Sequence, residues 1–411
     1  RRRAWHILAR QLVLLPLTVL RCARVVGRKC RAGSEDGCEI LLTGRFDSDN
    51  WILAHIGPLA AATRCARLWM VSTNPVPALP KVTAIYPPGW LVRVVGATPA
   101  RLLVFAYVAM RKHPHVVGGF HLTFNGIAAI VVGRLAGAGS MYFCVGGPPE
   151  VRDGGVHADD HAFTRMETAD PIVERRLLKI VSHCDTVITM GTRARTFFRD
   201  KAVETDIRVV PGGIDSRRFQ PGQDTPSADL ILTGRLVQIK RIDIFLQAVA
   251  CVSRRIPGVR AVIVGDGPLC DALRSLAANL DVERNIHFVG YQQDVATWLR
   301  KSRVFVLTSD SEGLSLSMME AMMCGLPAVV SDVGDLGDLI EHGVNGYLVP
   351  RRSPQLFADR LVELLSDEAK RRAFSLAAHR SAMQYEKQAT ARRWDKILGD
   401  GSHCEGASDH G

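Results

Sequence analysis

The chain has 411 residues, of which 47% are hydrophobic and 23% are charged, and this composition excludes collagen-like, coiled-coil and largely disordered proteins. The length predicts two domains, and an aromatic content of 6% gives little support to a protein that binds nucleic acid by stacking on bases. The net charge of +11 indicates an anionic partner: nucleic acid, an anionic membrane or a phosphorylated substrate.

The first predicted element is a basic and apolar leader over residues 1–34. It carries nine Lys or Arg residues, has no acidic residue before Glu35, and contains an apolar run over 11–20 that Pro16 interrupts. A helix that crosses a bilayer needs about 20 apolar residues, so this run is too short. The pattern favours a segment at a membrane surface, with leucines at the headgroup boundary and arginines on anionic lipid. A signal peptide and a leader without fixed structure remain as alternatives.

The body of the chain alternates strand and helix patterns. Short, nearly continuous apolar runs separated by helical stretches predict parallel sheets covered on both faces. The predicted fold class is α/β, with two doubly wound, Rossmann-like domains facing a central cleft, and ligands of such sheets bind at the carboxyl ends of the strands. The predicted strands lie at 39–43, 68–72, 82–86, 115–118, 141–145, 186–189 and 207–210 in the first half and at 230–233, 261–265, 286–289, 304–307, 328–331 and 347–349 in the second.

Domain boundaries follow from the segments between these patterns. The N-terminal domain is predicted at 35–212 and the C-terminal domain at 229–384, and a charged, proline-containing hinge at 213–228 joins them. A helix at 385–399 is expected to pack back on the N-terminal domain, and 400–411 is expected to be a disordered tail.

Two carboxylates accompany the fourth strand of the second half. Glu312 lies in the loop after that strand, and a helix then starts near Leu316 with Ser315 or Ser317 as its cap. The free N–H groups of such a helix end bind phosphate, and carboxylates accept hydrogen bonds from sugar hydroxyls. Glu320 lies on this helix among apolar residues, where a carboxylate without a partner is costly. The alternative is that Glu320 is merely exposed and Glu312 is an ordinary loop charge.

Two cations follow the first strand of the second half. The string G-R-L-x3-K places Arg235 and Lys240 after Gly234, before a helix that begins near Arg241. A diphosphate at this strand end would be held by the arginine fork and the lysine point charge. Such a string is weak alone, because basic residues at turns are usually only solvated, but its pairing with the Glu312 segment in one sheet strengthens it.

These segments together resemble the donor domain of the family-four retaining glycosyltransferases of the GT-B fold, the glycosyl transferases group 1. The resemblance covers about 230–365, and the first half of the chain resembles the acceptor domain only loosely. Glu312 and Glu320 match the E-x7-E motif. The other matching strings are G-R-L-x3-K at 234–240, V-G-D-G-P at 264–268, F-V-G at 288–290, C-G-L-P at 324–327, N-G-Y at 345–347 and the interdomain P-G-G-I-D at 211–215.

The resemblance implies a role for each matching residue. Arg235 and Lys240 would hold the donor diphosphate and offset the charge that develops on the leaving group. Glu320 would accept hydrogen bonds from the nucleotide ribose, and Glu312 would face the donor sugar and the reacting centre. His121 would lie beside the donor sugar, although a packed structural histidine is the alternative there. The remaining donor-binding residues implied are Gly44, Gly234, Gly265, Gly290, Gly313, Leu314, Ser315 and Leu316.

The predicted activity is that of a retaining glycosyltransferase, which moves a sugar from a nucleotide diphosphate sugar to an acceptor hydroxyl in polysaccharide, glycolipid or other glycoconjugate synthesis. A nucleotide-sugar epimerase of the same fold and a non-catalytic nucleotide-sugar-binding subunit are the alternatives. The expected partners are a nucleotide-sugar donor, a glycan or lipid-linked acceptor and an anionic membrane, with no nucleic acid. Ten cysteines without a C-x-x-C pair favour reduced thiols, so a cytoplasmic protein at the inner face of the plasma membrane is expected.

No cofactor or metal is expected. Two sequence patterns resemble metal sites: the D-x-D of Asp47 and Asp49, and the His/Asp-rich loop at 157–161. The first lies in a loop where the GT-B resemblance implies no metal, and the second is a linear cluster of a kind that is usually only solvated.

Overall fold

The protein is described by a computed structural model that covers residues 2–22, 37–46, 48–158, 166–222, 224–350 and 353–400. The chain divides into two compact units. Unit 1 comprises Arg1–Gly213 and Gln388–Gly411, and unit 2 comprises Ile214–Lys387. The segment predicted as a hinge is thereby grouped with unit 2 from Ile214 onward.

Unit 1 contains a seven-stranded parallel sheet in the order β3-β2-β1-β4-β5-β6-β7. Its strands are β1 (Cys38–Thr43), β2 (Cys65–Val71), β3 (Val82–Ile85), β4 (Val116–Phe120), β5 (Gly139–Cys144), β6 (Thr186–Thr189) and β7 (Asp206–Val209). The helices of its main segment are α1 (Arg2–Cys22), α2 (Asp49–Ala61), α3 (Gly89–Val95), α4 (Ala97–Lys112), α5 (Ile127–Ala136), α6 (Pro171–Val181) and α7 (Thr192–Asp200).

The leader forms helix α1, and one face of this helix is part of the core of unit 1. Val13 and Leu17 are buried in the cluster that α5, α6 and α7 share. Asp170 caps α6 and also accepts hydrogen bonds from His6 at 2.8 Å and Arg10 at 3.0 Å. Burial alone would raise the pKa of Asp170, but these hydrogen bonds and the Arg10 charge lower it overall. Helix α1 is therefore docked through both apolar and charged contacts.

Unit 2 contains a six-stranded parallel sheet in the order β10-β9-β8-β11-β12-β13. Its strands are β8 (Leu230–Thr233), β9 (Ala261–Val264), β10 (Ile286–Gly290), β11 (Val304–Leu307), β12 (Ala328–Ser331) and β13 (Gly346–Val349). Its helices are α8 (Ile242–Ser253), α9 (Cys270–Asn279), α10 (Val295–Arg300), α11 (Leu316–Met323), α12 (Pro354–Ser366) and α13 (Glu368–Ala382). The last helix, α14 (Lys387–Asp400), belongs to unit 1 from Gln388 onward.

Both sheets confirm the α/β fold class with two parallel-sheet domains. Every residue of β8, β9, β11 and β12 is buried, as expected for strands that helices cover on both faces. Within unit 1, Asp395 of α14 accepts hydrogen bonds from Thr63 and from the backbone of Arg64, each at 2.9 Å. None of the described helices combines the length and apolar character that a membrane span requires.

Candidate functional site

The predicted site residues lie where the strand order of each sheet reverses. In unit 2 the reversal falls between β8 and β11; Gly234 follows the first strand and Glu312 lies in the loop after the second. In unit 1 it falls between β1 and β4, which Gly44 and His121 follow directly. Crevices at the carboxyl ends of strands beside such a reversal are the favoured ligand sites of doubly wound sheets. Each unit therefore places its candidate residues at its own favoured site.

The hydroxyls of two threonines at these strand ends are buried and unpaired. Thr233 ends β8 and Thr43 ends β1, and neither side-chain oxygen has a hydrogen-bond partner in the described part of the chain. Buried hydroxyls normally have a partner. Both strand ends thus present a polar atom with unused hydrogen-bonding capacity.

Lys240 and Glu312 form an ion pair across the reversal in unit 2. The Lys240 Nζ atom lies 2.6 Å from Glu312 Oε1, and the Ser309 hydroxyl donates to the same oxygen at 2.5 Å. The side chains are only 18% and 10% exposed, so solvent screens the pair less than it would a surface pair. The two residues that the sequence assigned to separate roles are therefore in direct contact.

The backbone around Lys240 is fixed by its neighbours. Arg241, which precedes α8, has a left-handed backbone with φ of 48°, and its guanidinium pairs with Asp243 at 2.7 Å and Asp310 at 3.4 Å. The hydrogen bonds that Arg241 donates to Asp243, and the charges of both aspartates, raise the pKa of Arg241. Thr308 donates to the Arg241 carbonyl at 2.8 Å. These contacts tie the loop after β8 to the loop after β11.

Glycines let each of these two loops approach the loop of a neighbouring strand backbone to backbone. A Cβ atom on Gly265, just after β9, would lie 1.8 Å from the Gly234 carbonyl oxygen. A Cβ atom on Gly334 would lie 1.8 Å from the Glu312 carbonyl oxygen. Neither position admits another residue without movement of the main chain. Arg235 follows Gly234 and is exposed, whereas Gly290 has φ of +80° with open space around it.

Helix α11 begins as the sequence predicted. Ser315 is its cap and accepts a hydrogen bond from the Met318 N–H at 3.4 Å. Leu314 and Ser315 are buried, and Ser317 contacts the Ser315 hydroxyl at 3.0 Å. The first-turn N–H groups that the cap does not engage are oriented along the helix axis toward the carboxyl ends of the strands.

Glu320 is a buried carboxylate on α11. Its residue is 9% exposed, and no described side chain forms a hydrogen bond with its carboxylate. Burial raises its pKa to about 7, and the positive charge of Arg218 offsets only part of this effect. Strongly perturbed carboxyl groups at a ligand-binding edge are characteristic of functional sites.

His121 occupies a constrained position after β4, and the structure adds a partner that the sequence did not indicate. The backbone of His121 has φ of 63°, and its Nδ1 atom lies 3.0 Å from Glu150 Oε1. Glu150 is buried and also accepts hydrogen bonds from Gly146 N–H at 2.6 Å, Leu122 N–H at 2.7 Å and the Tyr142 hydroxyl at 2.7 Å. The histidine ring, 24% exposed, is thus held from one side by a fixed carboxylate.

Gly44 lies close to aromatic residues in the same part of unit 1. A Cβ atom there would come within 2.9 Å of the Phe46 ring and 3.0 Å of the Phe120 Cβ. Phe46 is buried, so the loop after β1 turns inward at that residue.

The two metal-like patterns lie partly outside the described residues. Asp47 and residues 159–161 are not described, Asp49 begins α2, and His157 lies 3.9 Å from Asp153. Within the described ranges, no group of three or more His, Cys, Asp or Glu side chains is arranged to hold a metal ion.

Comparisons with known proteins point to one family. The family model described as "Glycosyl transferases group 1" matches residues 227–367. D-inositol 3-phosphate glycosyltransferase of Frankia alni is 34% identical over 207 residues, which are 45% of this chain and 51% of that protein. An Escherichia coli UDP-Gal:alpha-D-GlcNAc-diphosphoundecaprenol alpha-1,3-galactosyltransferase is 25% identical over 284 residues, 65% of this chain and 70% of the relative. The chain spans about half the length of the curated relatives that it matches at 30% identity or more.

A solved structure extends the likeness to both units. The Anabaena protein HepE in complex with UDP-glucose superposes with a TM-score of 0.70 at 17% identity, over 88% of this chain and all of that protein. At this identity the likeness concerns the fold. Residues 227–367 of this chain are therefore similar to the glycosyl transferases group 1 family, and the two parallel-sheet units have the fold of GT-B proteins.

Proposed function

We propose that the protein is a retaining glycosyltransferase that moves a sugar from a nucleotide diphosphate sugar to an acceptor hydroxyl. The observation that carries this proposal is the buried carboxylate of Glu320 in the second turn of α11, to which no described side chain donates a hydrogen bond, in a sheet whose strand reversal is flanked by Lys240, Glu312 and Arg235. The site combines cations and helix N–H groups, which suit phosphates, with carboxylates, which suit sugar hydroxyls.

Arg235 and Lys240 bind the diphosphate and stabilise the charge that it gains as the glycosidic bond breaks. The N–H groups at the start of α11 add a fixed dipole to the same anion. Glu320 accepts hydrogen bonds from the ribose hydroxyls, which gives its carboxylate the hydrogen-bond donors that no described side chain provides. Positioning and electrostatics carry the reaction, and the departing phosphate assists deprotonation of the acceptor hydroxyl while retention is maintained.

The Lys240–Glu312 pair gives Glu312 two states in this mechanism. Without donor, Lys240 neutralises Glu312 across 2.6 Å. A diphosphate competes for the ammonium group, because phosphate oxygens are strong acceptors for a charged donor. The Glu312 carboxylate is then available to the sugar hydroxyls and to the electron-poor sugar centre.

The acceptor is proposed to be a glycan or a lipid-linked glycan at the inner face of the plasma membrane. The name of the E. coli relative specifies a diphosphoundecaprenol-linked acceptor. Helix α1 supports attachment to a membrane, because Leu8 and Leu15 are 45% and 69% exposed on the side opposite its buried face. Nine basic residues and no acidic residue before Glu35 favour an anionic lipid surface.

A screen of nucleotide sugars by thermal unfolding identifies the donor, since a ligand that binds the folded state raises the unfolding temperature. Candidate acceptors are then added with the donor that stabilises most, and NMR of the product establishes the anomeric configuration. A stabilising donor that Glu320→Gln no longer binds, together with retention, supports the proposal; Glu341→Gln, at an exposed glutamate of unit 2, is the matched control. Conversion of the donor without any acceptor would instead identify an epimerase.

A further inference from the structure

Exposed apolar side chains are concentrated in unit 1. Among the described residues, 20 large hydrophobic ones have exposed side chains, and 15 of these belong to unit 1 and five to unit 2. Single exposed hydrophobic residues are normal, but contiguous apolar patches mark interaction surfaces. Eleven of the 15 in unit 1 lie on α1, α3 and α4.

Helices α3 and α4 present such a patch. Leu103, Tyr107 and Met110 are 54%, 67% and 52% exposed, and their spacing puts them on one side of α4. The other side of α4 is packed in the core through residues such as Phe105 and Val108. This helix is therefore apolar on its inner and its outer side.

Helix α3 packs against α4 and has no buried residue of its own. Trp90 is 62% exposed and Val94 is 75% exposed. A seven-residue helix with no buried side chain and two large apolar residues in solvent gains little from the fold, because its apolar area stays in water. We call the surface formed by Trp90, Val94, Leu103, Tyr107 and Met110 the α3–α4 face.

The same helix layer includes α1. Helix α5 packs against both α4 and α1, so these helices lie on one side of the unit 1 sheet. The exposed leucines of α1 thus belong to the layer that carries the α3–α4 face.

The charge of the molecule is divided unequally between the units. By sequence, unit 1 has 31 Lys and Arg against 20 Asp and Glu, whereas unit 2 has 21 of each, so the excess of +11 falls wholly in unit 1. Residues 50–149 contain eight Lys or Arg and no Asp or Glu. Arg93 lies in the last turn of α3, Arg111 and Lys112 lie in the last turn of α4, and all three are exposed. The apolar patch is therefore bordered by positive charge.

We infer that the α3–α4 face is a membrane-contact surface that takes an anionic phospholipid bilayer. Trp and Tyr side chains prefer the interface between headgroups and hydrocarbon, where the ring is apolar and its polar atom stays hydrated. The aliphatic side chains enter the boundary, and the basic border meets the lipid phosphates. The inference extends the membrane attachment proposed for α1 to a second surface.

Vesicle binding tests the inference with the full chain and without donor or acceptor. We expect wild-type protein to sediment with phosphatidylcholine vesicles that contain phosphatidylglycerol, and to bind less as salt rises. Tyr107→Ser/Met110→Ser should weaken this binding about tenfold, because two apolar side chains no longer enter the boundary. The matched control is Leu376→Ser/Met383→Ser in unit 2, whose side chains are 68% and 40% exposed and which should bind as wild type does.

A spectroscopic measurement distinguishes contact from an indirect effect. Bromine-labelled lipids should quench wild-type tryptophan fluorescence more than that of Trp90→Phe, because Trp90 enters the bilayer. Equal vesicle binding by the two double variants, or equal quenching, would overturn the inference. Lipid-independent self-association that Tyr107→Ser/Met110→Ser abolishes would reassign the surface to a contact between copies of the chain. Neither outcome would affect donor binding by unit 2, which is measured without lipid. The transferase proposal would therefore stand even if the membrane-contact inference were overturned.

Discussion

Burial raises the pKa of Glu320 to about 7, from 4.5 for an ordinary glutamate. Between these values the folded chain holds a proton that the unfolded chain releases, so this residue makes the free energy of unfolding fall as pH rises. Below pH 4.5 the carboxyl is neutral in both states and no penalty exists. Above pH 7 the folded protein carries the whole penalty of a desolvated carboxylate.

Glu320→Gln should therefore separate stability from donor binding. We expect the free energy of unfolding without donor to rise at pH 8 by on the order of 2 kcal/mol and to change little at pH 4. Donor KM should rise, because an amide replaces an acceptor-only carboxylate at the ribose. Denaturant unfolding at the two pH values and steady-state kinetics provide the measurements. If Glu320→Gln changed the free energy of unfolding by the same amount at both pH values, the burial argument would be contradicted.

Arg235→Ala and Lys240→Ala should each reduce turnover on the order of 10²–10³-fold, because in the proposed mechanism both cations face charge that develops on the diphosphate. The two effects should differ in their coupling to Glu312. Lys240 contacts Glu312 directly, so Lys240→Ala/Glu312→Gln should depart strongly from additivity. Near wild-type turnover in both single variants would remove the anion site from the proposal.

Glu312→Gln should lower kcat more than it raises donor KM. In the proposed mechanism the carboxylate faces the sugar centre, whose positive charge grows toward the transition state, so its loss should remove an interaction that strengthens during the reaction. Initial-rate kinetics with donor varied, and thermal unfolding as a control for folding, check this. An effect on KM alone would mean that the roles of Glu312 and Glu320 are exchanged.

At the scale of elements, the end of β4 and the turn that contains Glu150 form one positioning device for His121. Glu150 accepts four hydrogen bonds, and an amide cannot accept at both of its terminal atoms, so Glu150→Gln leaves donors opposed to an NH₂ group. We expect kcat to fall as far as in His121→Ala, with no further loss in the double variant. The ¹⁵N NMR signals of the His121 ring should report a changed tautomer mixture.

The control for this prediction is Tyr142→Phe. It deletes one hydrogen bond to Glu150 and leaves the Glu150–His121 contact in place. Its stability should fall by about 1–3 kcal/mol with little change in kcat. If Tyr142→Phe lowers kcat as much as Glu150→Gln, general loosening of the turn explains the effect.

The elements themselves were largely predictable from sequence. Buried parallel strands appear as continuous apolar runs, and every predicted run became a strand, with ends within about three residues. Ser315 was predictable as a cap because it precedes an apolar helix. The outward face of α4 was not, because Tyr107 and Phe105 are both apolar in the sequence and only the packing distinguishes the exposed residue from the buried one.

Contacts between distant loops were the unpredictable part of the site. Lys240 and Glu312 are 72 positions apart, and their meeting depends on the adjacency of β8 and β11 and on the path of two loops. The role of Glu150 could not be predicted from the sequence, because a glutamate after two prolines is typical of an exposed charged residue in a loop. Its role arises from burial against the carboxyl ends of β4 and β5, which sequence periodicity does not encode.

At the scale of the whole molecule, we expect the reaction to be independent of divalent metal. In the proposed mechanism, Arg235, Lys240 and the N–H groups of α11 supply the positive potential for the diphosphate. Activity should persist after exhaustive chelation and should not rise when Mg²⁺ or Mn²⁺ is restored. A chelation-sensitive rate that Mn²⁺ rescues would return Asp47 and Asp49 to consideration as ligands.

The close approach of Gly265 to the Gly234 carbonyl has a consequence for how this site can diverge. Because a single added carbon at Gly265 would collide with backbone, the path of the two loops is inherited as a unit. The side chains beside them, such as exposed Arg235, have no such restriction. Descendants of this chain can therefore change which donor they select by exchanging side chains while the backbone path of the loops stays the same. A new backbone path would require several simultaneous substitutions.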